Sequence, residues 1–156
     1  MTRVLFVCTG NICRSPTAEG VARHFIQAAG LADSIEVDSA GTNGYHAGEA
    51  PDPRTRKVAQ LRGYDLSNLR ARKLEALDFQ RFDLILAMDR GHLEIMQRLC
   101  PEVYRPRLRL FMAYAHNSEF DEVPDPYYGG PRGFDAVLNM CEDGAQGLLD
   151  TLRAQA

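Results

Sequence analysis

Apolar residues fall along the chain in short unbroken runs, separated by stretches with helical spacing. Val4-Leu5-Phe6-Val7-Cys8 is apolar throughout and of strand length, and Thr9-Gly10-Asn11 ends it. Residues 35–40 read as a second strand, 83–88 contain the apolar run Leu84-Ile85-Leu86-Ala87, and 107–111 form a short fourth strand. Helical patterns fill the intervals: Pro16 to Ala29, with Val21, Phe25 and Ala28 on one face; Asp52 or Pro53 to Leu61; about Arg90 to Leu99; and Phe134 to Leu152. Ser15 is a candidate N-cap, Pro16 suits a first turn, Glu19 completes a capping box, and Gly30 suits a stop. The Gly- and Pro-rich stretches 41–53 and 112–131 read as surface loops. Continuous runs mark strands buried on both faces, which predicts a single α/β domain over 1–156 with a parallel sheet covered on each side. Ligands of such sheets bind beyond the carboxyl ends of the strands, where Cys8 falls.

Composition narrows the partners. The 156 residues are 45% hydrophobic and 25% charged, with a formal charge of −3. That balance gives no footprint for nucleic acid or an anionic membrane, so an anionic ligand needs a local positive site. No run approaches the roughly 18 apolar residues of a membrane span, and the N-terminus lacks a secretory layout. A cytoplasmic protein, monomeric or weakly dimeric, is expected, with Cys8, Cys13, Cys100 and Cys141 as thiols. His24, His46, His92 and His116 have no metal-cluster spacing and match no catalytic position, so no metal or cofactor is expected.

The segment Cys8 to Ser15 carries the chemistry. A helix N-terminus offers free N–H donors and partial positive charge to a phosphate. Gly10 permits a loop whose N–H groups turn inward, and Asn11 tolerates the left-handed region. Arg14 supplies a planar fork for two phosphoryl oxygens. The same surroundings favour the thiolate of Cys8, the nucleophile, and the Ser15 hydroxyl can serve that thiolate as it departs. The plainer reading, a core cysteine followed by a solvated arginine, accounts for none of the coincidence of strand, Cys, Gly, Asn, Arg and capped helix.

The run Cys8-Thr9-Gly10-Asn11-Ile12-Cys13-Arg14-Ser15-Pro16 resembles the signature loop of the low-molecular-weight protein tyrosine phosphatases. Asp38-Ser39-Ala40-Gly41, Pro51-Asp52-Pro53-Arg54, Met88-Asp89 and Asp125-Pro126-Tyr127-Tyr128-Gly129 follow in the family's order. The resemblance implies a four-stranded parallel sheet flanked by helices, and hydrolysis of phosphotyrosine through a phosphocysteine on Cys8. Arg14 would hold the phosphoryl group, and Thr9, Gly10, Asn11, Ile12, Cys13 and Ser15 would form the binding loop. Asp125, stiffened by Pro124 and Pro126, would be the general acid and then base; taken alone it reads equally as the start of an Asp-Pro turn. Tyr45, Tyr127 and Tyr128 would wall a slot for a phenyl ring, and Ser39 would help Asn11 brace the loop. Cys13 would pair reversibly with Cys8 under oxidation. Leu69 stands where many relatives carry a supporting His. The implied partners are phosphotyrosine proteins, a tyrosine kinase among them.

Three alternatives share parts of this pattern. An arsenate reductase needs two relay cysteines after the third strand, where this chain reads Ile85-Leu86-Ala87-Met88-Asp89 and has only Cys100 beyond. A protein-arginine phosphatase carries a small polar residue at the position of Ile12. A non-catalytic phosphocarrier module needs the cysteine and its cradle but no acid.

Overall fold

The computed structural model describes residues 1–126 and 131–155. Four strands, β1 (Thr2–Cys8), β2 (Ile35–Gly41), β3 (Leu84–Ala87) and β4 (Leu108–Leu110), form one parallel sheet in the order β2-β1-β3-β4. Among the described residues five α-helices accompany them: α1 (Arg14–Ala28), α2 (Pro53–Leu61), α3 (Asp78–Arg81), α4 (Arg90–Leu99) and α5 (Pro131–Ala154).

Strand β1 shows why its run is unbroken. Its side chains alternate between faces: Val4, Phe6 and Cys8 join one core layer with residues of α1 and α5. Leu5 and Val7 join the other with Phe79 of α3 and Met96 of α4. Both faces are therefore covered by helices, and every residue from Val4 to Val7 is fully buried. Phe6 meets Phe111 edge to face at 5.2 Å between centroids, an arrangement that suits the ring quadrupoles.

The order of the strands places the site. The chain leaves β1 for β2 on one side, then crosses to β3 on the other, so the carboxyl end of β1 is a topological switch point. Cys8 is the last residue of that strand.

Several local expectations need correction. Helix α1 begins at Arg14, so Ser15 lies inside its first turn and does not cap it; Cys13 holds the cap position, without a side-chain bond. Glu19 reaches Ser39 and Arg23 and forms no capping box. The buried stripe of α1 runs through Ala18, Val21, Ala22 and Ile26, leaving Ala28 exposed. Helix α3 and the 3-10 turns over Glu102–Arg107 and Phe111–Tyr114 interrupt stretches expected to be irregular. Gly30 ends α1 as expected: it adopts φ +72, and the bonds Gly30 N–H to Gln27 O and Leu31 N–H to Ile26 O close a Schellman motif. No described helix is long and apolar enough to cross a membrane.

Candidate active site

The loop after β1 owes its shape to bonds made on its outer side. The carbonyl of Cys8 accepts from Thr42 N–H (2.8 Å), that of Thr9 from Asn43 N–H (3.1 Å), and that of Ile12 from Asp52 N–H (2.8 Å). The Cys13 carbonyl accepts from the N–H and the hydroxyl of Thr17. No peptide among the described residues is cis, so in each unit the N–H points opposite to its C=O. Holding these carbonyls outward turns the N–H groups of Thr9, Gly10, Cys13 and Arg14 into the hollow the loop encloses. The missing side-chain cap on α1 leaves the first-turn donors open as well, which an anion site requires.

Asn11 is the hinge of the turn. It is the one non-glycine among the described residues with positive φ, at 58, the left-handed conformation its side chain tolerates. Its amide donates to Ser15 Oγ (2.8 Å) and Ser39 Oγ (2.9 Å), and its carbonyl oxygen accepts from Arg72 N–H (3.0 Å). The Ser39 hydroxyl in turn donates to Glu19 Oε1 at 2.6 Å. Burial pushes the Glu19 carboxyl up, against the opposing pull of Ser39 and Arg23. Leu69 packs, half-buried, against the core, so the bracing of Asn11 runs through the backbone of Arg72. That residue is fixed by ion pairs to Asp38 and to the fully buried Asp78. Gly10 keeps an ordinary φ; its lack of a side chain makes room for His46, whose Cδ2 would lie 3.0 Å from a Cβ there.

Inside the loop, Cys8 Sγ lies 3.0 Å from Ser15 Oγ. Arg14 is 5% exposed, no solvated surface charge. Its NH1 donates to Asp89 Oδ2 (2.9 Å) and to the Val123 carbonyl (3.0 Å), and its NH2 lies 4.0 Å from Asp125 Oδ2. Asp89 does double duty, since its other oxygen accepts from His92 N–H and so caps α4. Burial pushes the Asp89 carboxyl up, but that N–H, the His92 ring and Arg14 outweigh it and hold it below the usual range. The segment carrying Asp125 is tied to the same helix. Arg90 N–H donates to Glu122 Oε2, the Arg90 guanidinium pairs with Asp121, and Val123 N–H bonds Met88 O.

The result is a cavity of about 250 Å³ lined by Cys8, Thr9, Gly10, Ile12, Cys13, Arg14, Asn43, Tyr45, His46 and Asp125. Of the expected site residues, Cys8, Thr9, Gly10, Ile12, Cys13, Arg14, Tyr45 and Asp125 line it, while Asn11, Ser15 and Ser39 brace it from behind. Tyr45 stands at the mouth, 87% exposed. Tyr127 and Tyr128 lie outside the described residues. Sequence reading missed four neighbours: Asn43 and His46 on the wall, and Asp89 and His92, which meet Arg14. An Asp directly after a strand run, opening a helix, was the available signal for Asp89.

Comparison with known proteins agrees with this geometry. The family model described as low molecular weight phosphotyrosine protein phosphatase matches residues 3–156. A low molecular weight protein-tyrosine-phosphatase of Streptomyces coelicolor is 48% identical over 157 residues, covering 98% of this chain and 94% of that one. The human low molecular weight phosphotyrosine protein phosphatase is 37% identical, with 88% and 87% covered. The crystal structure of a protein tyrosine phosphatase from Entamoeba histolytica, with Hepes in its active site, superposes with a TM-score of 0.96 at 40% identity, covering 99% of each chain. With its cysteine loop at the switch point of the sheet and matches along nearly its whole length, the chain belongs to the low molecular weight phosphotyrosine protein phosphatase family.

Proposed function

We propose that the chain hydrolyses phosphotyrosine in proteins through a phosphocysteine intermediate on Cys8. The observation that carries this reading is the convergence, on one cavity, of Cys8 Sγ, the inward-facing N–H groups, the clamped Arg14 and the Asp125 carboxyl. The phosphoryl oxygens would fill the hollow, bound by the loop amides and by the N–H groups of Arg14 not committed to Asp89, Val123 and His92. Cys8 Sγ attacks phosphorus, and the bond to the phenolic oxygen breaks while Asp125, in its acid form, gives that oxygen a proton. Asp125, now a carboxylate, then takes a proton from water as the water oxygen attacks phosphorus. The P–S bond breaks, inorganic phosphate leaves, and the Ser15 hydroxyl donates to the departing sulfur. Charge that develops on the equatorial oxygens meets donors already aimed at it.

Ile12 and the exposed Tyr45 favour a flat apolar leaving group, which supports an aryl phosphate over a phosphoarginine. Cys100 lies at the end of α4 in the core layer opposite to Cys8, so it supplies no relay for arsenate reduction. The four cysteines are free thiols, which suits a reducing compartment. Turnover of p-nitrophenyl phosphate at mildly acidic pH tests the reading, and its absence in the native chain would refute it. Cys8→Ser should abolish turnover. Asp125→Ala should slow it by about two to four decades, the loss of a general acid; a silent Asp125→Ala would remove that assignment.

A further inference from the structure

His92 lies in the first turn of α4 and is 3% exposed. Its Nε2 is 2.7 Å from Thr9 Oγ1 and 3.4 Å from Arg14 NH2. A guanidinium only donates, so Nε2 must be an acceptor and the ring proton must sit on Nδ1. Nδ1 faces Asp89 Oδ1 at 3.1 Å, off the line of a well-formed hydrogen bond. A proton there meets a carboxylate; a lone pair there would meet repulsion. The Thr9 hydroxyl, facing a bare nitrogen, must in turn be the donor. Each atom of the group thus has one consistent role, and the group joins the loop, α1 and α4.

We propose that His92 is a positioning residue for phosphate: as the neutral Nδ1–H tautomer it fixes the Thr9 side chain and the outer edge of the Arg14 guanidinium. The inference rests on the reading of the loop as an anion site. A second proton would remove the shared acceptor and set an imidazolium against Arg14. Arg14 of α1 faces the ring, as do Asp89 at the start of α4 and Glu122 and Asp125 on the following segment. Burial, with Arg14, holds the ring well below the ordinary histidine value, at about 4, so the neutral form prevails at neutral pH.

The test uses the full chain and inorganic phosphate as the probe, measuring how phosphate protects Cys8 from iodoacetate. This readout needs no turnover. His92→Ala and Thr9→Val should each weaken protection about three- to tenfold, the scale of one lost hydrogen bond. Thr9/His92 double replacement should be no worse than the weaker single variant, because both remove the same bond. His92→Gln, which restores an acceptor near Nε2, should stay within about twofold of the native chain. A histidine that merely fills space would lower the melting temperature in His92→Ala and leave phosphate affinity unmoved, which overturns the proposal. So would multiplying losses in the double variant, or a His92→Gln as weak as His92→Ala. If His92→Ala fails to fold, Thr9→Val decides alone, since it leaves the buried ring in place. Native protein that shows no protection overturns both readings; protection without turnover removes hydrolysis and leaves the His92 result standing.

Discussion

Cys8 and Cys13 share one loop but not one environment. Cys8 Sγ has the Ser15 hydroxyl at 3.0 Å and the open N-terminus of α1 beside it, whereas burial, aided by Asp52, pushes the Cys13 thiol up to about 12. At neutral pH Cys13 therefore stays protonated and is the slower of the two toward an alkylating agent. Iodoacetate should label Cys8 ahead of Cys13 and Cys141, as read by peptide mass spectrometry; equal labelling of Cys8 and Cys13 would contradict this account. At this scale the sequence was legible where a residue's own chemistry set its place. Asn11 in the left-handed region and Arg14 lining the loop cavity both followed from residue type. Asp89 and His92 did not, because their roles come from α4 being set against the loop after β1, 75 to 78 positions away in the chain. Ser15 was read both as a cap and as a partner of the Cys8 thiol; the cap fails and the thiol contact is present, because only the fold decides between the two.

Among the elements, strands and long helices were legible because burial on two faces, or on one stripe, leaves a period in the sequence. Helix α3 has four residues and the 3-10 turns little more, too short for any period to emerge. Packing between elements is also invisible in the sequence, and α5 shows how tight it becomes. A Cβ added at Gly147 would fall 1.7 Å from the carbonyl oxygen of Tyr114, a backbone atom that has no rotamer to change. Helix α5 must then move off the 3-10 turn at 111–114. Gly147→Ala is expected to cost about 1–3 kcal/mol despite its gain in helix propensity, seen as a melting temperature lowered by roughly 3–10 °C. Gly44→Ala, where the nearest atoms are 3.5 Å away on the flexible Lys73 side chain, serves as the control and should shift it little. Equal melting temperatures for the two variants would show that α5 has slack at this crossing.

For the whole molecule, the buried titratable groups set how stability varies with pH. His92 has a folded value of about 4, below its ordinary 6.5, so the unfolded chain binds the proton first as pH falls. Its contribution is complete above about 6.5 and is lost as pH drops toward 4, by roughly 3 kcal/mol at 1.36 kcal/mol per unit. Glu19 acts in the opposite sense: its raised value makes the fold lose stability as pH rises above its ordinary 4.5. Urea unfolding of His92→Gln beside the native chain separates the two, because Glu19 is common to both. The native chain should lose stability relative to the variant between pH 6.5 and 4; a constant difference would mean that the ring is not held neutral.

The bonds on the outer side of the anion loop extend further than the site itself. Loop 8–12 is held by 42, 43 and 52, and that segment is held in turn by 71–74, through Gly41 N–H to Arg72 O, Leu74 N–H to Gly41 O, Gly48 N–H to Ala71 O and Ala71 N–H to Glu49 O. The loop is thus the innermost of three nested tiers of backbone. Free energy coupled between tiers works in both directions: a ligand that steadied the inner tier would steady the outer one, and a change at 71–74 would reach that ligand without any side chain touching it.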